Sequence, residues 1–159
     1  IPLLSAAAVE DFLTRAREQP ADFYYPIIEK VTSEAKYPDC KRTYVRLKDG
    51  TSTGGNLLLL YPRILEQSWA WAADMYRWRK EPLKMCRLLG WGFLLQLLLG
   101  RLTIHSLENR FQQLLGASGK AVISPYPEIG LDVDKPSDYE LAVKYIGTTK
   151  IPAFSSAGV

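Results

Sequence analysis

Segments with the two-residue period of a β-strand alternate along this chain with segments carrying helical spacing, and that alternation restricts the fold most. Residues 21–28, 43–47, 57–60 and 121–124 read as strands, and residues 6–18, 104–115 and 137–145 as helices. Such an order predicts a three-layer α/β domain around a mainly parallel sheet. At 159 residues one domain is expected, over residues 1–146, with residues 147–159 as a small-residue-rich flexible tail. Residues 63–116 read as mostly helical and would form an insertion packed on one side of the sheet.

The local signals are specific in places. Ser5 is a good N-cap for the first helix, whose apolar positions are Val9, Phe12, Leu13 and Ala16. Residues 21–28 are aromatic and β-branched, with Pro26 marking an edge or a bulge. Residues 29–39 are polar and read as a loop with a helical turn. Lys48-Asp49-Gly50 is a turn signal. Thr51 to Asn56 come next as a glycine-rich loop, and Leu57 to Leu60 form a continuous apolar run suited to a strand covered on both faces. In the loop, Thr53, Gly54, Gly55 and Asn56 could bring bare backbone N–H groups to a phosphate or a base edge. A tight turn needing glycine dihedrals explains the same residues. Thr103 caps the helix at 104–115, and Gly116 stands where a helix ends in glycine.

Gly130 to Asp138 (GLDVDKPSD) carries the most chemistry. It reads as a short strand at 129–133, a turn, and a helix opened by Pro136 with Asp138 in its first turn. Asp132 and Asp134 are two apart, so a strand reaching that far would point both carboxylates into one crevice. Carboxylates so placed at the carboxyl end of an α/β strand suit Mg²⁺. Alternatively, Asp134 organises the strand-to-helix turn and Asp132 is solvated; the spacing is compatible with both.

Composition removes other classes. A net charge of +3 and a pI near 8.8, with no dense Lys/Arg stripe, speak against nucleic acid as partner. A lone histidine, His105, excludes multi-histidine zinc sites and reads as a structural residue on a helix. Cys40 and Cys86 lack a CxxC spacing and read as reduced thiols of a cytoplasmic protein. The opening Ile1-Pro2-Leu3-Leu4 has no methionine and no basic leader, and reads as cut from inside a strand of a longer chain. Residues 88–100 are uncharged but shorter than the roughly 20 apolar residues a bilayer requires. They suit a buried helix, a subunit interface or, with Arg77, Arg79, Lys84, Arg87 and Arg101, a peripheral membrane contact.

Three separated motifs together resemble the MobA-like nucleotidyltransferases, relatives of the enzymes that attach GMP or CMP to molybdopterin. Ile1-Pro2-Leu3-Leu4 before a helix is similar to the residues just after the family's metal-binding aspartate. Thr53-Gly54-Gly55-Asn56-Leu57 is similar to its substrate-side loop, and Asp132 to Asp138 to its closing Asp/Asn-x-Asp/Asn-Thr-Pro-x-Asp. Lys135 departs from the family's threonine at that point. The resemblance implies a Rossmann-like fold of GT-A type, present here as an incomplete domain. It also implies transfer of an NMP from an NTP to a phosphorylated acceptor, with release of pyrophosphate. Mg²⁺ or Mn²⁺ would be held by Asp132 and Asp134, together with an aspartate just before Ile1. Arg42, and less so Lys41, would take the acceptor's phosphate, with Thr53, Gly54, Gly55 and Asn56 beside it. The family's glycine-rich triphosphate grip has no counterpart in these residues, so this would be the acceptor-binding part. A competing expectation is a non-catalytic binding or assembly module. It would use Trp69, Trp71 and Trp78 with the apolar helices, residues 69–100, as a homo-oligomer or peripheral membrane contact.

Overall fold

The computed structural model describes residues 1–65, 69, 73, 77 and 90–148. Helices α1 (Ala6–Glu18), α2 (Lys30–Lys36), α3 (Trp91–Leu98), α4 (Ile104–Leu115) and α5 (Pro136–Thr148) surround a sheet. Its strands are β1 (Phe23–Glu29), β2 (Val45–Leu47), β3 (Gly50–Gly54), β4 (Leu59–Leu60) and β5 (Gly119–Ile123). The fold is the expected open-sheet, Rossmann-like α/β arrangement. β1 is central, and β5 runs parallel to it from Phe23↔Gly119 to Ile27↔Ile123. The β2–β3 hairpin and β4 add antiparallel pairings, which makes the sheet mixed.

β3 and β4 share one edge of β1, because β5 occupies the other along the residues both of them use. Ile27 to Tyr24 is three steps along β1, whereas their partners Gly54 and Leu59 are five apart. Two extra residues are therefore looped out opposite Pro26. The Pro26 carbonyl still accepts from the Gly55 N–H at 2.8 Å, but proline has no N–H to return, and the pairing lapses there. The bulge expected from Pro26 is thus placed on the partner strand.

Alternation along β1 sends Tyr24, Pro26 and Ile28 to one face and Phe23, Tyr25 and Ile27 to the other. The first face packs with Ala8, Phe12 and Ala16 of α1, Val122 and Ile129 into the core. Ser5 caps α1 by accepting from the Ala8 N–H at 3.2 Å. The second face is covered by α3 and α4, with Phe23 meeting Phe111 edge-on, ring centroids 6.0 Å apart. Glu108 of α4 fixes that helix to β5, accepting from the Ala121 N–H at 3.0 Å and from Lys120 Nζ at 2.7 Å. Thr103 and Ser106 cap α4 reciprocally, and Gly116 ends it at φ +65°, as the sequence indicates.

Three local expectations change. Residues 129–133 are not a strand: Pro127–Gly130 is a 3₁₀ turn, followed by irregular backbone through Asp134. Proline at its first position favours the turn, and the Ile129 and Gly130 carbonyls accept from Asn56 rather than joining a paired strand. Thr53 and Gly54 belong to β3, not to a loop, and the polar stretch after β1 forms α2. Of the tryptophan-rich segment, Trp69 is described and exposed; Trp71, Trp78, most of the helical stretch read between residues 66 and 89, Cys86 and residues 149–159 lie outside the described residues. Among the described residues no helix is long and apolar enough to cross a membrane.

Candidate functional site

The bulge opposite Pro26 leans on the acidic segment. The Asn56 backbone N–H donates to the Ile129 carbonyl at 2.9 Å, and Asn56 Nδ2 donates to the Gly130 carbonyl at 3.2 Å. One residue of the bulge thereby fixes the turn that leads to Asp132. Glycine at position 55 is required by this approach, because a methyl group there would lie 2.7 Å from Ile129 Cγ2 and 2.9 Å from Pro26 Cγ. Arg42 enters from the chain before β2: its Nη2 donates to the Gly54 carbonyl at 3.0 Å, and a methyl on Gly130 would stand 3.2 Å from the same nitrogen. Arg42, Gly54, Gly55, Asn56 and Gly130 are thus contiguous, with Asp132 two residues beyond Gly130.

The carboxylates differ in their surroundings. Asp132 is exposed; its Oδ1 accepts from the Val133 N–H at 2.9 Å and lies 3.7 Å from the Ile1 nitrogen. That places the first residue of the sequence beside the first aspartate of the acidic segment. Asp134 is exposed at the entrance to α5, where the Asp138 carboxylate accepts from the Asp134 N–H at 3.2 Å. Asp138 is therefore the organiser of this turn. Since the backbone between Leu131 and Asp134 is irregular, a strand's alternation does not set the two aspartates on one side.

The N–H groups expected to face an acceptor are committed within the protein. The Gly55 N–H serves Pro26, and the Asn56 N–H and one amide hydrogen serve Ile129 and Gly130. Thr53 is buried in β3 opposite Ile28. Lys41 is exposed, whereas Arg42 is half-buried. Of the expected acceptor contacts, what remains to meet an anion is the Arg42 guanidinium, which stands against Gly54 and Gly130; Asp132 and Asp134 are exposed on the segment that follows. Among the described residues no three His, Cys, Asp or Glu gather into a closed cation cage. Mg²⁺ characteristically uses one or two carboxylates, several waters and substrate phosphates, and two exposed aspartates fit that mode of binding.

Glu128 was not visible as a site residue in the sequence. It is buried, accepts from Lys36 Nζ at 2.7 Å and from Ser5 Oγ at 3.5 Å, and so ties α1 and α2 behind the acidic segment. Its partners are 92 and 123 residues away, and no local pattern could have found them. Burial, then the Glu128 charge, push the neighbouring Tyr37 phenol up to about 12. Burial raises the Cys40 thiol as well. His105 lies exposed on α4, its Nε2 3.0 Å from Asn109 Nδ2.

No family model matches this chain, and no curated protein is found to resemble it. It is similar to a solved structure from Thermus thermophilus named as a hypothetical transferase, with 44% sequence identity and a TM-score of 0.78. The likeness covers 85% of this chain and 58% of that one, so the chain spans little more than half of its structural neighbour.

Proposed function

We propose that this chain is the acceptor-binding part of a transferase, and within that class of a metal-dependent nucleotidyltransferase moving an NMP from an NTP to a phosphorylated acceptor. The observation that carries the reading is the pair of hydrogen bonds that Asn56 donates to the carbonyls of Ile129 and Gly130, which joins the two resembling motifs into one wall beside Arg42. Similarity to a hypothetical transferase supports the coarser class.

In this reading an acceptor phosphate oxygen forms a bond to the α-phosphorus, while the bond from that phosphorus to the bridging oxygen breaks. Pyrophosphate leaves with the electron pair. Such a reaction depends on positioning and charge neutralisation more than on a protein nucleophile. Arg42 holds the acceptor phosphate through its remaining guanidinium N–H groups. Asp132 and Asp134 would hold Mg²⁺ or Mn²⁺, which supplies charge neutralisation between the nucleotide and the incoming oxygen. Asn56 and Gly55 act as positioning residues, holding the 3₁₀ turn from which the segment carrying Asp132 emerges.

The test is Mg²⁺-dependent pyrophosphate release by a chain that carries, besides these residues, the triphosphate-gripping half the resemblance places upstream. Asp132→Asn is expected to lower that rate by about 100-fold, the scale of several kcal/mol of charge stabilisation, with the fold intact. Full activity in both Asp132→Asn and Asp134→Asn rejects the assignment.

A second reading rests on α3, which carries no charge and leaves Trp91, Leu95 and Leu98 66%, 59% and 84% exposed. A non-catalytic contact through that face, with a second copy or a bilayer surface, predicts a concentration-dependent mass by light scattering or co-sedimentation with liposomes. A monomer indifferent to lipid removes it.

A further inference from the structure

The apolar layer between the sheet and helices α3 and α4 is not closed. Phe23, Tyr25 and Ile27 on the sheet and Leu97, Leu107 and Phe111 on the helices line a cavity of about 590 Å³. Neither α3 nor α4 has a buried residue, although both turn apolar side chains to the sheet. Under α1, on the opposite face, Phe12, Tyr24, Val122 and Ile129 are all 7% exposed or less. One face of the sheet is sealed, and the other stays open to solvent. The lining reaches from Val45 on β2 through Thr53 on β3 and Tyr25 on β1 to Ala121 on β5, across four neighbouring strands. At the usual strand spacing the cavity is therefore roughly 14 Å long.

We propose that this cavity is a binding site for a neutral aliphatic chain, separate from the candidate transfer site. Its volume suits a small organic molecule, and an apolar lining selects hydrocarbon. Water is a poor occupant, because aliphatic and aromatic walls do not supply the two to four polar partners it takes. A charged ligand is disfavoured too, since the ionic groups at the border are engaged with the protein. Glu108 accepts from Lys120 Nζ at 2.7 Å and from the Ala121 N–H at 3.0 Å, and Arg110 Nη1 donates to Gln113 at 3.3 Å. The way in is at Tyr25 and Val45, which line the cavity while 40% and 43% exposed. Arg42 takes no part: it stands with Ile28 and Gly130, on the other side of the sheet. The inference does not depend on nucleotidyl transfer.

The experiment is calorimetric titration of the full chain with 1-butanol, 1-hexanol and 1-octanol, with neither NTP nor metal present. A single class of site is expected, each methylene tightening binding about fourfold, and butanol to octanol on the order of 100-fold. Ala121, the neighbour of Tyr25 across β1 and β5, also lines the cavity. Ala121→Phe puts a ring into that space and is expected to abolish the gain with chain length, its fold checked by circular dichroism. Trp91→Ser and Leu98→Ser strip the exposed outer side of α3 and are expected to leave octanol affinity unchanged. Should Ala121→Phe not fold, the wild-type series and the two α3 variants still decide. Affinity that is flat with chain length overturns the proposal. So does loss of octanol binding in the α3 variants, since the alcohols would then sit on the surface. Neither result bears on nucleotidyl transfer, which pyrophosphate release tests separately.

Discussion

At the scale of single residues, the two glycines of the bulge have different tolerances. A methyl at Gly55 meets Ile129 and Pro26, both fully buried, and neither can move aside. Gly55→Ala is expected to destabilise by about 1–3 kcal/mol, the usual cost of overpacking. A methyl at Gly54 meets only Tyr25, which is 40% exposed and can swing outward. Gly54→Ala should cost no more than roughly 1 kcal/mol, the order of a side-chain adjustment. Urea denaturation of both variants checks the ranking. A second residue-scale expectation concerns acid. Asp22 accepts from Arg63 and from the Ser118 N–H and hydroxyl, which holds its carboxyl down to about 2 from an ordinary 3.8. A depressed carboxylate contributes stability that is present above the unfolded value and lost as pH falls through the folded one. Wild type should therefore lose stability between about pH 4 and pH 2 more steeply than Asp22→Asn, as read from denaturation midpoints at a series of pH values.

At the scale of elements, what the sequence declares is what depends on neighbours along the chain. The limits of α4 come from Thr103 and Gly116, which act within one turn, and the structure places both as read, adding Ser106 as the cap's reciprocal partner. Thr103→Ala should cost about 1 kcal/mol, because it strips the cap from an otherwise intact helix, and thermal unfolding will measure it. The segment at 129–133 went the other way. Ile129 and Val133 have the composition of a strand, but Asn56, 73 and 74 residues earlier, takes the Ile129 and Gly130 carbonyls and leaves no ladder to join. The Thr53–Leu57 and Asp132–Asp138 stretches could be singled out from the sequence. That one side chain physically joins them could not be read there, and neither could Glu128, whose partners lie on two helices from the first quarter of the chain.

At the scale of the whole molecule, the sheet is packed unequally on its two faces. Phe12 of α1, 2% exposed, sits in the tight layer, while Phe111 of α4 borders the cavity. Phe12→Ala should cost about 3–5 kcal/mol, since the surroundings cannot collapse onto the hole. Phe111→Ala removes the same atoms from a layer already open, and roughly 1–2 kcal/mol is expected. Denaturant titration of the pair tests whether the asymmetry is energetic as well as geometric. The α/β class was readable from alternation because both faces supply apolar positions; how completely each is filled depends on where the helices come to rest.

The interruption opposite Pro26 has a property that comes from its size. It is two residues long, and two is the repeat of a strand, so Leu59 lies on the same side as Tyr24, as an unbroken strand would place it. An insertion of one residue would turn Leu59 and Leu60 over, exchanging what faces α1 with what faces α3. An insertion or deletion of two leaves both layers untouched. The sheet edge is thus a splice point that counts only in even numbers. A lineage can lengthen or shorten what lies against the acidic segment without rewriting the sheet.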